Sequence, residues 1–125
     1  MEEETRESIE YLNEVFLEYE KLVTNIGKNG LSASLLFYYR DEIQYTLEDL
    51  QYSGLDFRKY YQKLVYLDNM LRVNAQRHVD EVGYKNFKQY QIVNDPPREH
   101  WWWYLNVTSR APIEKKDWKF WKKGD

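Results

Sequence analysis

Residues 5–26, TRESIEYLNEVFLEYEKLVTNI, decide how the rest of the chain is read. Ile9, Leu12, Phe16, Tyr19, Val23 and Ile26 recur at steps of three and four, so a helix gathers them on one apolar face. Glu7, Glu10, Glu14 and Glu18 follow the same spacing on another face. That stripe reads as the solvated side of the helix; chelation of a hard cation or contact with a basic partner are the alternatives. Early glutamates also suit the positive end of the helix dipole. An amphipathic helix of this kind needs other elements to cover its apolar face, which sets a helical frame for the remaining segments.

Gly27-Lys28-Asn29-Gly30 breaks the period as a short interhelical turn does. A second helix is expected from Ser32 or Ser34, either a suitable N-cap, to Tyr52, with Leu36, Tyr39, Ile43, Leu47 and Leu50 as its core face. Gly54 ends it. Asp56 is expected to cap a third helix, with Leu55 as a staple residue against Tyr60. Tyr60, Leu64, Leu67, Leu71, Ala75, His78 and Val82 lie near one face, so this helix is expected to run unbroken to Val82, about 40 Å. Beyond Gly83, Tyr84, Phe87 and Tyr90 suit one more helical stretch ending before Pro96-Pro97. Asp95-Pro96 has the form of another helix start, and residues 101–107 are read as helix in preference to a short strand. Pro112 is expected to open a final helix through Lys123. The predicted fold is therefore all-α: an antiparallel three-helix bundle over residues 1–90. Residues 91–125 follow as a Trp-rich, basic C-terminal arm packing on the bundle or on a partner.

Composition narrows the function classes. The 125 residues make one domain. Mean hydropathy is −0.87 and no apolar run approaches the roughly 20 residues of a spanning helix. Met1-Glu2-Glu3-Glu4 carries the wrong charge for a signal or transit peptide, and a cytoplasmic protein is expected. There is no cysteine, hence no disulfide framework, thiolate zinc site or cysteine nucleophile. The five glycines form neither a dinucleotide fingerprint nor a phosphate loop. Neither His78 nor His100 has a glutamate three residues before it, as a bundle di-metal site requires. His78 falls on the apolar face of the third helix and reads as a core or boundary histidine whose ring nitrogens find local partners, with a ligand or general-base role as the alternative. No catalytic residue, metal site, cofactor or small-molecule substrate is expected.

The net charge of −3 conceals a division: residues 1–56 hold 13 acidic and 4 basic groups, residues 57–125 hold 8 and 14. All five tryptophans lie on the basic side, at 101, 102, 103, 118 and 121. Trp101-Trp102-Trp103-Tyr104 cannot all face one core on any regular backbone, so the block is either clamped between two surfaces or open to a partner. Residues 113–123, taken as a helix, segregate Trp118, Phe120 and Trp121 from Lys119, Lys122 and their neighbours, the pattern of a partner-binding or membrane-surface element. Tyr38, Tyr45 and Tyr52 repeat every seven residues and form a secondary candidate surface.

These features point to a non-catalytic protein–protein interaction module, a small adaptor or assembly factor. Its expected partner-binding residues are Arg98, His100, Trp101, Trp102, Trp103, Tyr104, Trp118, Lys119, Phe120, Trp121 and Lys122. A second copy of the chain is among the candidate partners. The alternative is binding to nucleic acid or to an anionic membrane surface through the Trp/Lys tail; a pI near 5.5 disfavours nucleic acid.

Overall fold

A computed structural model describes residues 2–110. Among these residues all regular structure is helical. The α-helices are α1 (Glu3–Thr24), α2 (Leu36–Leu50), α3 (Arg58–Val73), α4 (Ala75–Val82), α5 (Tyr84–Asn94) and α6 (Leu105–Arg110). Tighter 3-10 turns occupy Gly30–Leu35, Gln51–Ser53 and Trp101–Trp103.

Helix α1 follows the sequence pattern closely. Leu12, Phe16, Tyr19, Val23 and Ile26 are buried and Ile9 packs at the margin of the core. Val15 and Leu22 widen the stripe, while Glu7, Glu10 and Glu14 face solvent. Helix α1 packs along α2 and also against α3.

Helix α2 starts later than the serines suggest. The Ser32 hydroxyl donates to the Asn29 carbonyl at 2.9 Å instead of capping a helix, and the chain makes a 3-10 turn before Leu36. Leu36, Ile43, Leu47 and Leu50 are buried as expected, joined by Phe37 and Arg40. Gly54 closes the segment with φ of +81°, a left-handed conformation that costs glycine little. Asp56 accepts the Arg58 N–H at 3.0 Å, but it stands one residue before the cap position, which Phe57 occupies without a side-chain cap bond. Phe57 and Phe16 pack on Tyr60, at 5.8 and 5.6 Å between centroids, whereas Leu55 is exposed.

The single long third helix is not observed. The chain breaks at Asn74, whose backbone N–H and side-chain amide both donate to the Met70 carbonyl, at 3.1 and 2.9 Å. A short amide side chain competes with the helical ladder in this way, and a separate helix, α4, starts at Ala75. Burial runs straight across the break, through Leu64, Leu67 and Leu71 to Ala75, His78 and Val79. Gly83, at φ of +102°, then separates α4 from α5.

The turn after α1 is fastened to α4 by one side chain. The Glu81 carboxylate accepts the N–H groups of Gly27, Asn29 and Gly30 at 3.1, 2.7 and 3.1 Å. Successive backbone N–H groups form an anion-binding concavity, and here the chain's own carboxylate occupies it.

Helix α5 buries Phe87 and stops at Asn94, before Pro96-Pro97 as expected. Asp95 takes φ of +43°, so it terminates α5 rather than opening a new helix. Residues 101–107 are helical, in two pieces divided at Tyr104. Helix α4 packs against α6 and the turn Gly30–Leu35, and α5 packs against α6 and the turn Trp101–Trp103. The helix expected over residues 112–123 lies outside the described residues.

Candidate protein-interaction surface

The 3-10 turn Trp101–Trp103 resolves the problem the four aromatics pose. Three residues per turn send successive side chains in three directions, so no two rings compete for one space. Trp103 enters the core and stacks on Phe37, 4.6 Å between centroids and 12° between planes. Phe37 also meets Phe87 edge-on at 4.9 Å, and Tyr38 meets Trp103 edge-on at 5.4 Å. Trp102 lies beneath the Arg40 guanidinium, 4.0 Å from the ring centroid, and stacks on His100 at 4.6 Å. Trp101 stays half-buried; it meets Trp102 edge-on and carries the Arg72 guanidinium at 4.0 Å.

One oxygen organises the block. Asp41 Oδ1 receives Trp102 Nε1 at 2.7 Å and Trp103 Nε1 at 2.9 Å. It also lies 2.9 Å from His100 Nδ1, a geometry met when the imidazole bears its proton there. Buried indole N–H groups require acceptors, and a carboxylate makes charge-assisted bonds stronger than a neutral oxygen would. Beside it, Arg40 holds Asp68 in a two-pronged pair, Nε to Oδ1 and Nη2 to Oδ2, both at 2.9 Å. Tyr19 donates to the same Asp68 at 2.6 Å; burial first, and then Asp68, hold its phenol well above the ordinary tyrosine value. Helix α5 adds Gln91, which donates to the Trp103 carbonyl and to Asn106 at 2.9 and 2.6 Å.

The expected partner-binding residues therefore divide into two sets. Trp102 and Trp103, 1% and 2% exposed, and the buried His100 make their contacts inside this chain. Arg98 is exposed, with its guanidinium 5.6 Å from the Tyr104 ring, while Trp101 and Tyr104 keep part of their surface in solvent. Trp118, Lys119, Phe120, Trp121 and Lys122 lie outside the described residues. The tyrosine heptad divides as well. Tyr38 and Tyr45 border the aromatic block, the Tyr45 ring lying 5.2 Å from that of His100. Partial burial, followed by the Asp41, Glu48 and Glu42 carboxylates, raises the Tyr45 phenol. Tyr52 stands apart, in a groove shared with Glu2, Glu4, Asp49 and Leu55. A row of ring contacts runs from Arg72 through Trp101, Trp102 and His100 to Tyr45; its two ends reach the surface, while Trp102 and His100 between them are buried.

Periodicity missed the groups that hold this surface: Arg40, Asp41 and Asp68. A signal existed for two of them. Arg40 stands three residues before Ile43 and four after Leu36, and Asp68 four after Leu64 and three before Leu71. Each is a charge placed in an apolar stripe, which calls for an opposite charge across the helices. His78 is buried as expected, but the local partners expected for its ring nitrogens are not found: neither has a hydrogen-bond partner among the described residues. Burial lowers its pKa from 6.5 to about 4, against a smaller upward pull from Glu81. No group of three His, Cys, Asp or Glu suited to a metal occurs among the described residues, and none of their helices is long and apolar enough to cross a membrane.

Comparison of the chain with protein-family models, with curated proteins and with solved structures yields no match.

Proposed function

We propose that this chain is a non-catalytic protein–protein interaction module, a small adaptor or assembly factor, whose contact surface is the aromatic edge formed by Trp101, Tyr104, Tyr38 and Tyr45 with Arg98 and Arg72. In this reading α1, α2 and α3 are the antiparallel three-helix bundle, residues 91–125 are its arm, and the protein works in the cytoplasm. The observation that carries the proposal is the convergence of His100, Trp102 and Trp103 on the Asp41 carboxylate. That anchor holds half-exposed aromatic and guanidinium groups in fixed positions, and rigid Trp, Tyr and Arg side chains are the groups that dominate protein interfaces. In this reading the Asp41–His100 pair is a structural clamp, with the imidazole packed between the rings of Trp102 and Tyr45.

The test is affinity capture with the full chain and with the surface variant Tyr45→Ser/Arg98→Glu. Loss of a captured protein, with unchanged thermal unfolding, supports the reading. Equal capture by both chains refutes it. So does wild-type binding to an oligonucleotide or to anionic liposomes that the same variant abolishes.

A further inference from the structure

A second surface lies along the seam between α1 and α3; of these two helices only Arg72 also belongs to the aromatic edge proposed above. The two helices touch through Phe16 and Tyr60 at 5.6 Å, the Tyr60 hydroxyl on Asn13 at 2.7 Å, and the Lys63–Glu20 ion pair at 2.9 Å. Their outer sides carry opposite charge. Helix α1 holds seven glutamates against Arg6 and Lys21. The only acid of α3 is Asp68, which is buried on Arg40, so the exposed charges of α3 are Arg58, Lys59, Lys63 and Arg72, all basic.

Each outer side also leaves apolar surface in water beside those charges. At 100° per residue, Glu10, Glu14 and Leu17 of α1 fall within an arc of about 60°, next to the seam residues Asn13 and Glu20. Lys59, Tyr66 and Val73 of α3 fall within about 40°, on the side of Lys63. Leu17 is 51% exposed, Tyr66 64% and Val73 84%. Glu10, Glu14 and Lys59 make no ion pair with another described residue.

From this arrangement we infer that two copies of the chain associate across the seam. Glu10, Glu14 and Leu17 of each copy meet Lys59, Tyr66 and Val73 of the other. The occupant is a second copy because one chain supplies both halves of the match on adjacent helices. A two-fold axis through the seam then pairs α1 with α3 twice, which is the closed, self-complementary geometry of most homodimers. Apolar groups supply the contact and the charges set its register and direction.

The experiment is sedimentation equilibrium on the full chain at low and high salt. Two variants built from exposed residues accompany it, Glu10→Lys/Glu14→Lys and Lys59→Glu/Gln62→Glu, with far-UV circular dichroism confirming the fold of each. The wild type is expected to be a dimer whose dissociation constant rises at least tenfold between low and high salt. Each variant alone is expected to be a monomer, and an equimolar mixture of the two a heterodimer, because reversal on both sides restores the match. Three results would each overturn the inference: a wild-type monomer up to about 1 mM, a dimer unaffected by either reversal, or two monomeric variants that stay monomeric when mixed. Wild-type chains that remain monomeric while the α3 side binds an oligonucleotide or anionic vesicles would overturn it as well.

Discussion

Replacing Asp41 by alanine removes the acceptor shared by two buried indoles and the His100 ring. Each buried donor left without a partner costs about 1–3 kcal/mol, more when the lost bond was to a charge. Two indoles and a histidine would sum to more than this, but the three bonds share one oxygen, so their losses do not add in full. The expected loss is about 3–5 kcal/mol, a large share of the roughly 5–15 kcal/mol that holds a domain together. Asp41→Asn keeps a side-chain oxygen in place but makes it neutral. Neutral bonds are about half as strong as charge-assisted ones, so this variant should lose about 1–2 kcal/mol. Urea unfolding followed by circular dichroism and by tryptophan fluorescence measures both, and the alanine variant should also show a red-shifted native emission as water reaches Trp102 and Trp103. An alanine variant within about 1 kcal/mol of wild type would show that Asp41 is not the anchor. So would an asparagine variant as damaged as the alanine one.

Three further outcomes are expected. Arg40→Met strands the Asp68 carboxylate in the interior and should cost about 3–5 kcal/mol, whereas Arg40→Met/Asp68→Leu should cost much less than the two single losses combined; a double-mutant cycle in urea checks this. His78, neutral when buried at a pKa of about 4 against 6.5 unfolded, contributes stability that is complete above pH 6.5 and is lost as pH falls toward 4. The loss reaches about 3 kcal/mol, and His78→Leu should remove that part of the acid slope, as thermal unfolding at pH 7, 5.5 and 4.5 would show. Glu81→Ala releases three backbone N–H groups and should cost about 2 kcal/mol, with faster amide exchange at residues 27–30 and a smaller effect for Glu81→Gln.

Helix α1 could be read from the sequence because its buried face is a local property, repeated within one element. The break at Asn74 could not, since an apolar stripe marks which side is covered and not whether the hydrogen-bond ladder continues. Leu71 and Ala75 keep step on both sides of it. The fate of Trp102 and Trp103 was hidden for a different reason. Their acceptor lies 61 and 62 residues earlier in the chain, on a helix whose own pattern gives Asp41 no distinction. The aromatic run announced that something must cover it, and the covering groups proved to be Phe37, Arg40 and Asp41 of the same chain. Arg40 and Asp68 stood between these cases, each a visible anomaly in its own stripe but recognisable as a pair only once the helices are set side by side.

The distance along the chain between Asp41 and its three donors has a consequence for the order of folding. Contacts between distant residues must await closure of the intervening loop, so they form slowly and late. While residues 1–99 search for their arrangement, Phe37 and Asp41 face an open slot, because the rings that fill it come from residues 100–103. The α1–α2 pair can form early from contacts within the first 50 residues, but the interior is sealed only when the far segment arrives. A chain cut short before residue 100 is thus expected to remain a loose, ring-exposing collapse rather than a smaller native protein. For that reason, partners are better sought with substitutions at the edge of the aromatic block than by removing it.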